Sequence, residues 1–213
     1  MSQPLEIKNL RVGFPNKVLC EINTTLHPGQ LTALIGRNGT GKSTLIRTIA
    51  GLISPLGGGV YYQRQNLNEC KPLELARLVS LVLTARPPVQ GISVQAVLEM
   101  GRYPHQMLNV DHERDQALVM HFAEKLGILR LLEQSLEKLS DGEMQKVMIA
   151  KAFIQETPII LLDEPTAFLD YIAKDEVFEL LSKTAHELNK IVLFSSHDLN
   201  LIERFANEKI QLS

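Results

Sequence analysis

One nine-residue stretch, GRNGTGKST from Gly36 to Thr44, constrains the fold of this chain more than any other. The pattern GxxxxGK[ST] needs glycines so that consecutive backbone N–H groups can turn inward around an anion, and it needs a helix N-terminus behind them to add positive potential. Gly36, Gly39 and Gly41 supply the turns, and Arg37, Asn38, Thr40 and Thr44 complete the loop. Lys42 is placed to reach the β- and γ-phosphates of a nucleotide, and the Ser43 hydroxyl to ligate Mg²⁺. Such a loop works only between a buried strand and a helix, so the neighbours are predicted with it: a strand through LTALIG at 31–36 and a helix through STLIRTIAGL at 43–52.

The rest of the chain extends this unit. LEIKNL at 5–10 reads as an N-terminal β-strand, and LVSLVL at 78–83, IILL at 159–162 and IVLF at 191–194 are near-continuous apolar runs. Runs of that kind fit strands buried on both faces of a mainly parallel sheet covered by helices. Between about Gly91 and Leu136 the pattern changes to helical spacing, as at Leu118, Phe122 and Leu126, which predicts an inserted helical lobe punctuated by Gly101, Pro104 and the polar tract at 109–112. The triple glycine at 57–59 reads as a turn. The 213 residues then form one α/β domain, with a core at 1–90 and 137–213 and a helical subdomain at about 91–136.

Chemistry is expected at the strand ends. IILLDE places Asp163 and Glu164 at the end of a buried strand, a costly position for carboxylates unless they serve a metal or a reaction. Asp163 is suited to hold Mg²⁺, and Glu164 to polarise an attacking water as general base. IVLFSS leads to His197, and a parallel sheet gathers such strand ends on the ligand side. His197 is therefore read as a γ-phosphate sensor.

These segments, in this order, resemble the ATP-binding-cassette family from Leu5 to about Phe205. LSDGE at 139–143 is similar to the family's signature sequence, and TAFLD at 166–170 resembles its D-loop, ending in Asp170. The resemblance implies a P-loop ATPase core with N-terminal antiparallel strands. It also implies ATP and Mg²⁺ as ligands, and a head-to-tail dimer in which each ATP lies between one copy's phosphate loop and the other's Ser140 and Gly142. Phe14 occupies the place where family members set an aromatic ring against adenine, while a Phe in a strand is otherwise a core residue. Ser140 and Glu143 also spell a capping box for the helix EMQKVMIAKAF, and the two readings are compatible.

Three departures from the family pattern matter. Asp141 and Glu143 stand where glycine and glutamine are usual, adding negative charge near the partner's γ-phosphate; Glu143 is expected to serve the cap. Where the family places a Mg²⁺-binding glutamine after the strand at 78–83, this chain offers Thr84, or Gln90 if the loop is displaced. The chain also stops at Ser213, short of the extent the family commonly reaches past the histidine, so the C-terminal part of the usual domain is expected to be missing.

The segment GISVQAVLEMGRYPH at 91–105 resembles the helical lobe of ATPases that power import of iron chelates, haem or cobalamin; its local reading is a helix end broken by Gly101 and Pro104, with Tyr103 packing nearby. That resemblance implies a transmembrane permease partner and a cytoplasmic position on the inner face of the membrane. The other reading is a nucleotide-binding regulator or a non-transport ATPase of the same family. A formal net charge of −2 marks no surface for nucleic acid, and no apolar run reaches the roughly 18 residues that span a bilayer, so any membrane role is expected to run through the partner. Cys20 and Cys70 are far apart, with no metal-binding spacing, and read as two reduced, buried thiols.

Overall fold

The computed structural model describes residues 3–85, 90–106 and 111–212. Of the polar tract at 109–112, positions 109 and 110 lie outside the described residues. The chain opens with two long strands, β1 (Leu5–Phe14) and β2 (Lys17–Leu26), which pair antiparallel. Strand β3 (Leu31–Ile35) runs into the phosphate loop, and helix α1 (Lys42–Ile49) follows it. Leu45, Ile46 and Ile49 lie on the buried face of α1, the spacing that one stripe of a helix requires. Next come β4 (Gly57–Tyr62), the short β5 (Gln65–Asn66), α2 (Pro72–Leu78) and β6 (Val79–Val82).

The helical segment holds α3 (Val94–Glu99), a 3₁₀ turn at Met100–Arg102, α4 (Tyr103–Gln106) and α5 (His112–Lys125). Helix α6 (Asp141–Ile154) leads back to the core through β7 (Ile159–Asp163), α7 (Tyr171–Glu187), β8 (Ile191–Ser195), α8 (Leu199–Phe205) and β9 (Glu208–Gln211). The strands form two sheets: an antiparallel one in the order β2-β1-β4-β5 and a parallel one in the order β6-β7-β8-β3-β9. This is the expected α/β class, with N-terminal antiparallel strands against a parallel core.

Strands β7 and β8 are buried at every position: the apolar runs IILL and IVLF require it, and each strand ends in a buried polar residue, Asp163 or Ser195. Their side chains alternate between two cores. Ile159 and Leu161 pack with α1 and the antiparallel sheet, whereas Ile160 and Leu162 pack with α5, α6 and α7. Phe122 and Leu126 are buried in the second core, and Leu118 packs at its edge, so the helical spacing read at these positions holds. The inserted helices therefore share a continuous apolar core with one face of the parallel sheet.

The triple glycine is not a turn. It begins β4, pairing Gly57 with Arg11 and Gly59 with Lys8 across a register shift in β1. Gly58 sits at the shift with φ 72°, and a Cβ there would stand 2.1 Å from the Asn9 carbonyl oxygen. Close backbone approach at an irregular ladder, rather than chain reversal, explains the glycines.

Candidate nucleotide site

The parallel sheet brings the C-terminal ends of β3, β7 and β8 together, and each ends in a polar residue or loop. Gly41 sets the start of α1 in a left-handed conformation, φ 97°, where a Cβ would press on Leu19 at 3.0 Å. A side chain there is disfavoured twice, by backbone conformation and by contact. Lys42 is buried, and its Nζ donates back to the carbonyls of Gly36 at 2.7 Å and Arg37 at 3.2 Å. Thr40 Oγ1 also donates to the Arg37 carbonyl, at 2.9 Å, which keeps the loop curled. Asn38, Gly39, Gly41, Lys42, Ser43 and Thr44 line a cavity of about 320 Å³ whose remaining walls are Leu19, Glu164 and His197.

Beneath this cavity hydroxyls and carboxylates interlock. Ser43 Oγ donates to Asp163 Oδ1 at 2.9 Å, and Ser195 Oγ donates to the same oxygen at 2.8 Å. Thr84 Oγ1 donates to the Asp163 backbone carbonyl at 2.7 Å. Gln90, the other candidate for that place, is exposed. Glu164 adopts φ 51°, a left-handed conformation that costs a non-glycine residue about 1–3 kcal/mol and is held only where the surroundings impose it. His197 Nε2 stands 3.0 Å from Glu164 Oε1. That oxygen is buried and lacks an aligned hydrogen-bond partner among the described residues. Burial raises the Glu164 carboxyl above the usual glutamate range, and the charges of His197 and Lys42 offset the rise only in part.

A second cavity, of about 590 Å³, lies over the start of α6 and shares no lining residue with the first. Ser140, Asp141, Gly142, Glu143 and Asp170 line it together with the cations Arg130 and Lys146. The capping box is formed: Ser140 Oγ accepts from the Glu143 N–H at 3.2 Å, and Glu143 Oε2 accepts from the Ser140 N–H at 3.1 Å. Glu143 Oε1 takes a hydrogen bond from Arg130 at 2.8 Å. The bonds from Ser140, backbone and hydroxyl, and then the Arg130 charge hold the Glu143 carboxyl below its ordinary range. Its negative charge is thus committed to the cap and to a cation. Asp170 caps α7 by accepting from the Ala173 N–H at 2.8 Å.

The sequence profile described as that of the ABC transporter matches residues 19–167. The chain belongs to the ABC transporter family. An uncharacterized ABC transporter ATP-binding protein of Methanocaldococcus jannaschii is 38% identical over 96% of this chain and 71% of its own length. The ferric enterobactin transport ATP-binding protein of Escherichia coli K12 is 36% identical over 96% of this chain and 76% of its own. Among solved structures, a bacterial ABC transporter cassette determined as a dimer superposes with a TM-score of 0.84 at 25% identity, covering 98% of this chain and 94% of that one. The phosphate loop, Asp163, Glu164 and His197 thus belong to an ABC ATPase.

In this ABC cassette the core alternative for Phe14 falls away, the helical lobe and Cys70 differ from the sequence reading, and one site residue escaped it. Phe14 is no core residue: it stands 58% exposed at the end of β1, outside the lining of the phosphate cavity. In the helical lobe Pro104 lies in the first turn of α4, where proline is tolerated, so the helix continues through it, and Tyr103 is exposed. The anchor of that segment is Arg102, which is buried and donates to Asp115 Oδ1 at 2.6 Å, Glu156 Oε2 at 2.8 Å and the Ile154 carbonyl at 2.9 Å. Ser195 went unremarked although it lies within IVLFSS; its polar side chain at the end of an otherwise apolar buried strand is the signal that marks it. Cys20 is buried and Cys70 only partly so, and both are free thiols.

Proposed function

We propose that this ABC ATPase powers import of an iron chelate, haem or cobalamin through a transmembrane permease, working as a head-to-tail dimer. The observation that carries the ATP half of this reading is the single cavity joining Lys42, Ser43, Glu164 and His197. Lys42 would trade its two carbonyl partners for β- and γ-phosphate oxygens when ATP enters. Oxygen donors suit Mg²⁺, and the existing contact between Ser43 Oγ and Asp163 Oδ1 gathers two of them. Thr84, whose proton goes to the Asp163 carbonyl, retains lone pairs for the ion or its water shell. Bound Mg²⁺ would neutralise charge building up on the β- and γ-phosphates.

Glu164 would take a proton from the attacking water, and His197, 3.0 Å from it, would orient water and γ-phosphate together. The separation of the two cavities supports the dimer. Ser140, Gly142 and Asp170 line the second cavity and do not reach their own phosphate loop, so each ATP would be completed by a partner copy. Phe14, exposed at the end of β1, is available to an adenine ring.

The cargo rests on the string GRYPH at 101–105 and on the ferric enterobactin transport for which the Escherichia coli relative is named. Among the described residues no helix is long and apolar enough to cross a membrane, which fits a cytoplasmic subunit held at the membrane by its permease. In a strain deleted for this chain, uptake of labelled ferric siderophore, haem and cobalamin should identify one substrate whose uptake is lost. Wild type should restore it and Glu164→Gln should not. Unchanged uptake of all three would reject the import assignment.

A further inference from the structure

The peptide unit joining Asp163 to Glu164 is held at both of its polar ends. Its carbonyl accepts from Thr84 Oγ1 at 2.7 Å, and its N–H donates to Ser195 Oγ at 2.9 Å. The two hydroxyls come from opposite sides, Thr84 from just beyond β6 and Ser195 from the last position of β8, the strands that flank β7. Ser195 is wholly buried, so water cannot replace it without entering the core. With this plane fixed, φ at Glu164 decides where its side chain leaves the strand, and that φ is 51°, in the left-handed region. A freed peptide would let Glu164 relax to negative φ and swing its carboxyl away from His197 and the phosphate loop.

We propose that Thr84 and Ser195 are paired positioning residues for hydrolysis, clamping the 163–164 peptide so that Glu164 is kept in its left-handed conformation with its carboxylate in the phosphate cavity. This rests on the reading of Glu164 as the base. It gives Thr84 a role that requires no metal contact, and it ties the clamp to the rest of the site, because Ser195 also donates to the Asp163 carboxylate that receives Ser43. Each hydroxyl holds the same peptide, so losing either should release the same constraint.

Two measurements on the full chain test the clamp. Hydrogen exchange at the Glu164 amide, read without nucleotide, should quicken at least about tenfold in Thr84→Val and in Ser195→Ala. Steady-state ATP turnover at saturating Mg²⁺ should show kcat lowered about tenfold in each, with the KM for ATP of Thr84→Val within about twofold of wild type. The double variant should be little worse than the poorer single one, and Thr84→Ser should recover most of what Thr84→Val loses. If Ser195→Ala does not fold, Thr84→Val and Thr84→Ser decide alone. Unchanged exchange and kcat in Thr84→Val, an effect confined to its Mg²⁺ dependence, or single losses that multiply in the double variant would overturn the proposal. Exchange that responds while Glu164→Gln keeps full turnover would leave the clamp standing and remove the base reading instead.

Discussion

At Glu164 a strained backbone and a tuned carboxyl meet in one residue. A general base must be deprotonated to work, and burial raises this carboxyl above the ordinary glutamate range. Turnover should therefore fall on the acid side as pH drops through that raised value, giving a limb displaced upward from where a free glutamate would place it. A pH profile of kcat/KM whose acid limb lies at or below the usual carboxylate range would contradict the assignment. The carboxylates and the histidine were legible in the sequence because each follows an apolar run, where polarity is expensive, and the lysine because the glycine pattern of the loop fixes its place. The hydroxyls of Thr84 and Ser195 were harder to read. Serine and threonine are ordinary almost anywhere, and only pairing across three strands shows that these two serve one peptide.

Elements carry the next layer of the account. Helix α6 starts on the Ser140–Glu143 box, so Ser140→Ala should cost about 1 kcal/mol of stability, measurable by urea denaturation. Glu143→Gln should keep part of the cap and change ATP-driven dimerisation little, because its charge is already matched by Arg130. A strong rise in dimerisation without loss of helix stability would refute that role.

Arg102 is a heavier anchor. Removing it leaves Asp115 and Glu156 without their buried partner, and Arg102→Met should cost about 3–5 kcal/mol. Burial alone would raise the Asp115 carboxyl, but hydrogen bonds from Gln106 and Arg102 and the charges of Arg102 and Arg114 outweigh it and hold it below the ordinary range. A carboxylate depressed in the folded state stabilises above its unfolded pKa and loses that contribution as pH falls through the folded one. The acid-induced loss of stability should accordingly be shallower in Arg102→Met than in wild type. Periodicity made β3, β7, β8 and α5 legible, since a buried strand or a helix stripe repeats its signal. It said nothing of Arg102, a single charge whose partners come from α5 and the end of α6, and it misread 57–59, where glycine serves backbone contact rather than a turn.

For the whole molecule, the central claim is that one chain provides two unlike halves of an ATP site. The order of the motifs along the sequence made the halves recognisable, but their separation into two cavities is a property of the folded core alone. The most direct test compares wild type with Glu164→Gln for Mg²⁺-ATP turnover and for mass in solution with ATP. The account predicts that Glu164→Gln loses about 10²- to 10⁴-fold in turnover, binds ATP as wild type does and accumulates as an ATP-bound dimer. A variant that still hydrolyses ATP at the wild-type rate, or that stays monomeric at saturating ATP, would contradict it.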